Sequence, residues 1–373
     1  MTGTDNYDKL SPKVVPGGPA PHTSRPVPPP GPPAPHPSRR PRPLRAAAIC
    51  ALAVALPLPP VLALASAPAG ASPLPGAPRC EIFPADNVWN TPVADLPVDP
   101  RSAQYVAAIG PDASLHPDFG QGDWDGEPMG IPYNVVAETQ PKVPVHFMYA
   151  SESDPGPYPV PPDALIEGGP TSTGDRHVIV VDTGNCTDYE MWSSYPRHGG
   201  TSWQAGSGAV FPLTSNRLRP ATWTSADAAG LPVLAGLVRA DEVRAGLIDH
   251  AIRVTVPCTD NRFIWPARHE AGQDDANCPP MGLRLRLKAS VPISQFPRMD
   301  RVILQALKTY GMIVADNGSP WYITGAGGNY WDNDTLHELG EIAGSDFQVV
   351  NESCLEVSPG SGEADPAQCR PAG

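Results

Sequence analysis

The sequence predicts a mainly β fold, of the β-sandwich or jelly-roll kind, with a few short helices. Many short stretches alternate apolar and polar residues, which is the period of a half-buried strand. Turn residues such as Gly, Asn, Asp and Pro recur between them about every ten residues. Only residues 299–310 carry a long helical stripe. Short strands at this spacing with few helices are typical of all-β sandwiches.

The N-terminal part of the chain has a different composition from the rest. The first 79 of the 373 residues hold 21 of the 51 prolines. Residues 1–45 lack apolar periodicity and are expected to be disordered. Residues 46–71 have the apolar run and small residues of a signal peptide, and residues 72–79 form a linker. We expect a β-rich globular domain over residues 80–351 and a cystine-closed tail over residues 352–373.

The signal peptide is predicted from the residues around the apolar run. Four arginines precede the run, and the small residues Ala69-Gly70-Ala71 follow it. We therefore expect cleavage after Ala71 and secretion of the chain that begins at Ser72. The alternative is an N-terminal membrane anchor, because a run of about 20 residues can span a bilayer. Three prolines inside the run and the small residues after it favour cleavage.

The secreted chain is strongly acidic. Removing residues 1–71 takes away seven of the 26 Lys and Arg residues and two of the 39 Asp and Glu residues. This leaves 19 positive and 37 negative side chains, a formal charge of −18. Such a surface repels nucleic acid, which is not expected as a partner, whereas a polysaccharide is compatible with it. No stable membrane span is expected after cleavage.

Six cysteines remain in the secreted chain, which indicates three disulfides among 15 possible pairings. No two of them have the C-x-x-C spacing of zinc or redox sites. Pairing neighbours in sequence gives three bonds: Cys258–Cys278, Cys354–Cys369 and Cys80–Cys186.

The elements can be predicted in chain order. Asp99 and Pro100 open a helix that Gly110 ends. Further helices or helical turns are expected at residues 225–230, 240–246, 299–310 and 333–342. Strands are expected at residues 131–137, 142–150, 177–183, 187–194, 203–213, 247–256, 283–288, 312–316 and 319–324. Gly184-Asn185 and Asn317-Gly318 each predict a hairpin between the strands that flank them.

The strand at residues 247–256 is expected to lead into the functional site. Its period of two places His250 on the apolar side and Arg253 on the opposite, solvated side. The strand at residues 283–288 alternates Leu with Arg or Lys, which likewise predicts one solvated face. After the first strand comes a polar loop that carries Trp265 and His269 and is closed by a predicted disulfide.

Common catalytic motifs do not occur in this chain. His269-Glu270 and His337-Glu338 each begin like the zinc-protease helix motif but lack its second histidine. There is no phosphate-binding loop, dinucleotide fingerprint or G-x-S-x-G. Metalloprotease, nucleotide and serine-hydrolase chemistries therefore lose support.

Polar residues at strand ends are the candidate catalytic groups, because catalytic side chains often lie where strands meet loops. Five are expected to converge on one cleft: Asp175, His177, His250, His269 and Asp316. Three imidazoles together can bind a divalent metal ion, the cofactor that this set allows. Without metal, an imidazole held by a carboxylate can act as a general base. The alternatives are a core position for His250 and turn stabilisation for Asp175 and Asp316.

A second set of residues is suited to binding sugars. Glu190 and Trp192 share one strand face, where acids bind hydroxyls and an indole stacks on a pyranose ring. Glu167 precedes two glycines that allow close approach of a ligand. The candidate substrate-binding residues are Glu167, Glu190, Trp192, Trp265 and Trp321. Paired carboxylates on such a face also suit glycoside cleavage, and the alternative is a solvated strand face.

Four sequence blocks resemble a family of secreted bacterial proteins. They are FPADNVWN from Phe83, DRH from Asp175, WPARH from Trp265 and ALKTYGMIVADNGS from Ala306. The resemblance extends over most of residues 80–350. It implies secretion and carries over no activity, fold or cofactor.

These features predict a secreted carbohydrate-active protein, a glycan hydrolase or lyase that acts on a polysaccharide. The alternatives are a non-catalytic glycan- or cell-wall-binding module and a structural surface protein. A hydrolase should gather two carboxylates in one cleft, with at least one displaced pKa. A binding module should instead present an open row of Trp and Tyr side chains.

Overall fold

Two sheets carry most of the strands of this mainly β, sandwich-like fold, which confirms the predicted fold class. A computed structural model describes residues 73–369. The strands there are β1 (His116–Asp118), β2 (Asp123–Trp124), β3 (Glu127–Pro128), β4 (Tyr133–Val136), β5 (Val145–Phe147), β6 (Val178–Asp182), β7 (Thr187–Trp192), β8 (Tyr195–Arg197), β9 (Ser202–Ala205), β10 (Ser207–Pro212), β11 (Ile252–Val256), β12 (Arg284–Leu287), β13 (Met312–Asn317), β14 (Tyr322–Thr324) and β15 (Phe347–Val349). The helices there are α1 (Ser102–Ile109), α2 (Ala240–Ala245), α3 (Arg298–Thr309) and α4 (Asn333–His337).

The larger sheet has six strands in the order β1-β14-β11-β13-β12-β15. The predicted hairpin around Asn317-Gly318 is wrong, because β11 lies between β13 and β14. It pairs parallel with β13 and antiparallel with β14. β11 is covered on both faces, with Ile252, Val254 and Val256 buried on one and the paired Arg253 buried on the other, so it occupies the position between β13 and β14.

The smaller sheet has four strands in the order β10-β7-β6-β4, and the hairpin predicted for β6 and β7 is confirmed. The single strand predicted at residues 203–213 is instead two strands in different sheets. β9 pairs with β5 and β8, whereas β10 pairs with β7. The chain changes sheets at Gly206, where an added Cβ would lie only 2.2 Å from the ring of Trp192.

The solvated faces predicted for β11 and β12 are wrong. Arg253 on β11 is only 4% exposed, and Arg284 on β12 is 0% exposed. Arg284 and Arg286 donate to backbone carbonyls of the segment that runs from Val88 to Leu96. The guanidinium groups thus donate hydrogen bonds to backbone carbonyls that the sheets leave unpaired. These hydrogen bonds offset the cost of burying the two charged side chains.

The core extends beyond the predicted domain limits at both ends. Leu74 and Ala77, in the predicted linker, are buried in the same cluster as the central strands, and so are Leu355 and Ala364 in the predicted tail. Apolar side chains at these positions pack on the core, so neither segment is a separate unit. The predicted signal peptide and its cleavage site lie outside the described residues.

The three predicted disulfide pairings are confirmed. Their Cα–Cα distances are 5.2 Å for Cys80–Cys186, 5.7 Å for Cys258–Cys278 and 5.0 Å for Cys354–Cys369. Disulfides of this kind are typical of extracellular proteins. No helix within residues 73–369 is both long enough and apolar enough to cross a bilayer.

Candidate functional site

One face of the six-stranded sheet is polar along three neighbouring strands. Asp118 on β1 pairs in register with Thr324 on β14, and His116 pairs with Tyr322. Arg253 on the next strand, β11, donates to the Thr324 hydroxyl at 2.8 Å. Side chains alternate along strands, so these groups share one side of the sheet. The candidate site is built on this face.

Arg253 is the buried centre of the site. Its guanidinium donates two hydrogen bonds to Asp227, at 2.7 and 2.9 Å, and one to Asp316 at 3.1 Å. Asp227 is also buried. Two carboxylates therefore share one positive charge. The guanidinium interacts more strongly with Asp227, to which it donates two hydrogen bonds, than with Asp316.

Asp316 lies at the end of β13 and is half-buried. Desolvation and the charge of Asp227 raise the pKa of Asp316 to about 7, although Arg253 opposes them and Asp175 adds to them. One Asp316 oxygen accepts a hydrogen bond from the backbone N–H of Asn317 at 2.7 Å. A carboxyl with this pKa holds a proton in mildly acidic solution, which is the requirement for a general acid.

Asp316 lies in an open cleft of about 400 Å³, which we call the Asp316 cavity; Asp175, His269, Trp192 and Tyr149 also line it. Asp175 is exposed and accepts a hydrogen bond from the indole N–H of Trp192 at 3.1 Å. The rings of Trp192 and Tyr149 are stacked, with centroids 6.4 Å apart and planes inclined by 28°. The cavity thus combines two carboxyl groups with an aromatic wall.

His269 contributes an imidazole edge to the same cavity. Its Nδ1 lies 2.8 Å from the carbonyl of Ala228, to which it donates, and its Nε2 lies 3.6 Å from the Glu152 carboxylate. The ring is half-buried. Three of the five predicted catalytic residues, Asp175, His269 and Asp316, therefore line one cavity, while their catalytic role stays a prediction.

His177 is buried beside the cavity instead of lining it. Its ring donates from Nδ1 to Glu167 at 2.6 Å and from Nε2 to the carbonyl of Ala226 at 3.0 Å. Burial alone would lower the pKa of His177, but the charge and hydrogen bond of Glu167 outweigh it and raise the pKa to about 9. An imidazolium with both protons engaged cannot accept another, so His177 is a structural link and not a general base.

His250 does not reach the cavity, which corrects the prediction that all five residues converge. β11 begins only at Ile252, and the buried His250 ring lies between Glu242 of α2 and the carbonyl of Ala251. Its Nε2 is 3.1 Å from the Glu242 carboxylate. The helix α2, which precedes the turn before β11, thus binds this imidazole.

Three predicted substrate-binding residues also lie away from the cavity. Glu190 is fully buried and accepts hydrogen bonds from the backbone N–H groups of Val233 and Leu234. Trp321 is buried and stacks on Phe347, and Trp265 donates its indole N–H to the carbonyl of Ser361. Both faces of β7 are covered, so the alternation of Glu190 with apolar residues did not mark a solvated face. Trp192 and Glu167 do border cavities.

Several residues of the site were missed by sequence reasoning. Asp227 and Arg253 form its buried ion pair, Asp118 lines an adjoining cavity, and Tyr149 completes the aromatic wall. Arg253 could have been noticed because it is a charged residue between the apolar residues of β11. The loop from His116 to Gly130, dense in Asp, Gly and Trp, was the signal for Asp118.

Within residues 73–369, no group of three or more His, Cys, Asp or Glu side chains is arranged to hold a metal ion. His177, His250 and His269, the three predicted metal ligands, do not come together at one place. No family model, curated protein or solved structure matches this chain.

Proposed function

We propose that this protein is a secreted glycoside hydrolase that cleaves a polysaccharide with Asp316 and Asp175. One observation carries the proposal: a carboxyl group whose pKa is raised to about 7 shares an aromatic-walled cavity with a second, exposed carboxylate. Glycoside hydrolysis needs this combination of a protonated acid and an ionised partner on either side of the scissile bond.

Asp316 is the general acid in this mechanism. Its proton passes to the glycosidic oxygen as the bond from that oxygen to the anomeric carbon breaks, so the leaving sugar departs as an alcohol. Arg253 and the backbone N–H of Asn317 hold the two Asp316 oxygens and then stabilise the carboxylate that remains.

Asp175 supplies the second carboxylate. It either attacks the anomeric carbon, with water later releasing the sugar, or removes a proton from the water that attacks. The hydrogen bond from Trp192 fixes its position. The same indole, stacked with Tyr149, offers a face on which a sugar ring can pack.

The test is incubation of the purified secreted chain with a panel of polysaccharides. A hydrolase releases reducing ends without the ultraviolet absorbance of unsaturated products, whereas that absorbance would identify a lyase and contradict the proposal. We expect Asp316→Asn and Asp175→Asn each to lower kcat by about 10²–10⁴-fold. Asp274→Asn, at an exposed acid that lines none of the cavities, is the matched control and should keep full activity. Binding of glycans without any cleavage would instead support the binding-module alternative.

A further inference from the structure

The Asp316 cavity adjoins two further cavities. A middle cavity of about 410 Å³, lined by Asp118, Trp124 and Tyr322, adjoins it, because Asp175 lines both. An outer cavity of about 660 Å³ adjoins the middle one through Pro128, Met129, Gly130 and Gly168. We call the three cavities together the long groove. The combined volume of the three cavities is greater than a ligand of one or two sugar rings would fill.

Acidic side chains outnumber basic ones along the long groove, where three histidines, His116, His269 and His337, are the basic groups among the lining residues. Among residues 73–369, no lysine or arginine lines any of its three cavities. Nine acidic side chains do: Asp118, Asp123, Glu127, Glu152, Asp163, Glu167, Asp175, Asp227 and Asp316. Buried cations behind the wall neutralise only part of this set, namely Arg253 with Asp227 and Asp316, and His177 with Glu167. A cleft in which one sign of charge predominates concentrates a ligand of the opposite sign.

Asp118 shows the consequence at the middle of the groove. Its carboxylate is exposed and accepts no hydrogen bond from another described residue. Desolvation in the groove raises the pKa of Asp118, and the charges of Glu167 and Asp175 add to the shift, while His116 and Arg253 oppose it. A cation bound here would gain both an unused acceptor and relief of carboxylate repulsion.

Aromatic side chains accompany these acids along the groove. Trp124 is 75% exposed in the middle cavity, and Tyr149 is 48% exposed in the Asp316 cavity. Ring faces pack against sugars, and both of these rings are open to a ligand in the groove. The aromatic groups point to a glycan, and the charge selects among glycans.

From these observations we infer that the long groove binds an extended chain of amino sugars with protonated amino groups, and that cleavage occurs inside the chain. This inference rests on the proposed hydrolase function and adds the substrate class and the mode of attack. A chain of uronic acids would be repelled by the same carboxylates, and a neutral chain would bind without the electrostatic gain.

Binding to an inactivated enzyme tests the inference separately from catalysis. Asp316→Asn protein is titrated with the dimer and the hexamer of glucosamine, with N-acetylglucosamine hexamer and with galacturonate hexamer, at mildly acidic pH, and tryptophan fluorescence is read. We expect the glucosamine hexamer to bind at least about tenfold more tightly than each of the other three ligands, with an advantage that falls as salt is raised. Equal affinity for dimer and hexamer, or for charged and acetylated hexamers, would overturn the inference.

Charge variants locate the effect. Adding Asp118→Asn to the inactivated protein should weaken glucosamine hexamer binding about fivefold and leave N-acetylglucosamine hexamer binding nearly unchanged. Asp112→Asn removes the same charge at an exposed acid that lines none of the three cavities, and should change neither. Equal effects of the two substitutions would contradict a role for the groove.

Product analysis separates the two proposals. Active enzyme on partly deacetylated poly-N-acetylglucosamine should release a mixture of intermediate lengths early, which is the mark of internal cleavage. Cleavage of a neutral glycan alone would sustain the hydrolase proposal and overturn the amino-sugar inference. Tight glucosamine hexamer binding with no cleavage of any glycan would overturn the hydrolase proposal while leaving the binding specificity in place.

Discussion

Asp316 has its chemistry because of three other charged groups around it. Arg253 divides one positive charge between Asp227 and Asp316, and Asp175 faces the same cavity. None of these neighbours is close to Asp316 in sequence. The residue type and the strand end could be predicted from the sequence, but the raised pKa follows from contacts that only the fold creates.

The pH dependence of activity should follow Asp316. Its pKa is raised to about 7, and the proposed general acid works only when protonated, so activity should fall as pH rises through about 7. Rates of glycan cleavage measured across pH give this limb. A rate that keeps rising well above pH 7 would contradict the assignment of Asp316 as the acid.

Replacement of Arg253 should affect both stability and this pH limb. Arg253→Gln leaves Asp227 buried without its ion-pair partner, which should cost about 3–5 kcal/mol in the free energy of unfolding. Loss of the positive charge also raises the pKa of Asp316 further, so the alkaline limb should move to higher pH in the folded variant. Urea unfolding and rate profiles measure the two effects. The control is Arg217→Gln at an exposed arginine, which should change stability by less than about 0.5 kcal/mol.

The His177–Glu167 pair should stabilise the fold in a pH-dependent way. The pKa of His177 is raised from 6.5 to about 9, so its contribution is fully present below pH 6.5 and is lost as pH rises through about 9. The free energy of unfolding of the wild-type protein should therefore exceed that of His177→Gln by on the order of 2–3 kcal/mol at pH 6. The difference should shrink as the pH approaches 9. Denaturant unfolding of both proteins at several pH values measures this. A difference that does not depend on pH would show that the imidazole is uncharged in the folded protein.

At the scale of elements, long-range pairing overrode local signals. Asn317-Gly318 predicts a hairpin, yet β11 separates β13 from β14. A two-residue turn favours pairing of its neighbours only when no third strand competes. Ile252, Val254 and Val256 of β11 are buried, so the place of this strand between β13 and β14 removes their apolar surface from water.

The change of sheet at Gly206 gives a prediction for the Asp316 cavity. In Gly206→Ala the new methyl group would meet the Trp192 ring, which must then move and withdraw its hydrogen bond from Asp175. Activity should fall at least about tenfold while the protein still folds. Gly340→Ala is the control, because a Cβ there meets nothing within 4 Å. Full activity in Gly206→Ala would mean that the position of Trp192 does not matter to catalysis.

At the scale of the whole molecule, the described chain from residue 73 to residue 369 shares one large core and a smaller one. Leu74 is 1% exposed and packs in the large core, although its sequence context predicts a linker. Leu74→Ala should therefore cost about 2–5 kcal/mol of unfolding free energy, measured in urea. Leu247→Ala, at a side chain 48% exposed, should cost much less. Equal stability of the Leu74→Ala and wild-type proteins would restore the linker interpretation.

The sequence by itself determined the features that depend on local chemistry. Alternating apolar residues and frequent turn residues predict the mainly β class, and three pairs of cysteines predict the disulfides. The polar ends of strands pointed to Asp175, His269 and Asp316, which line one cavity. These inferences succeed because they depend on local features. Alternating apolar residues bury one side of a strand, and cysteines that are close along the chain can meet easily in the folded protein.

Only the tertiary structure decided the strand order, which side chains are buried and which carboxyl groups have shifted pKa values. It buries Arg253, places His250 and Glu190 away from the Asp316 cavity and brings three cavities next to one another. Alternation along a strand cannot reveal whether its second face meets water or another layer, because both faces are covered only when distant segments pack there. The pKa of Asp316 likewise depends on neighbours, Asp227 and Arg253 among them, that are distant along the chain but close in the folded protein.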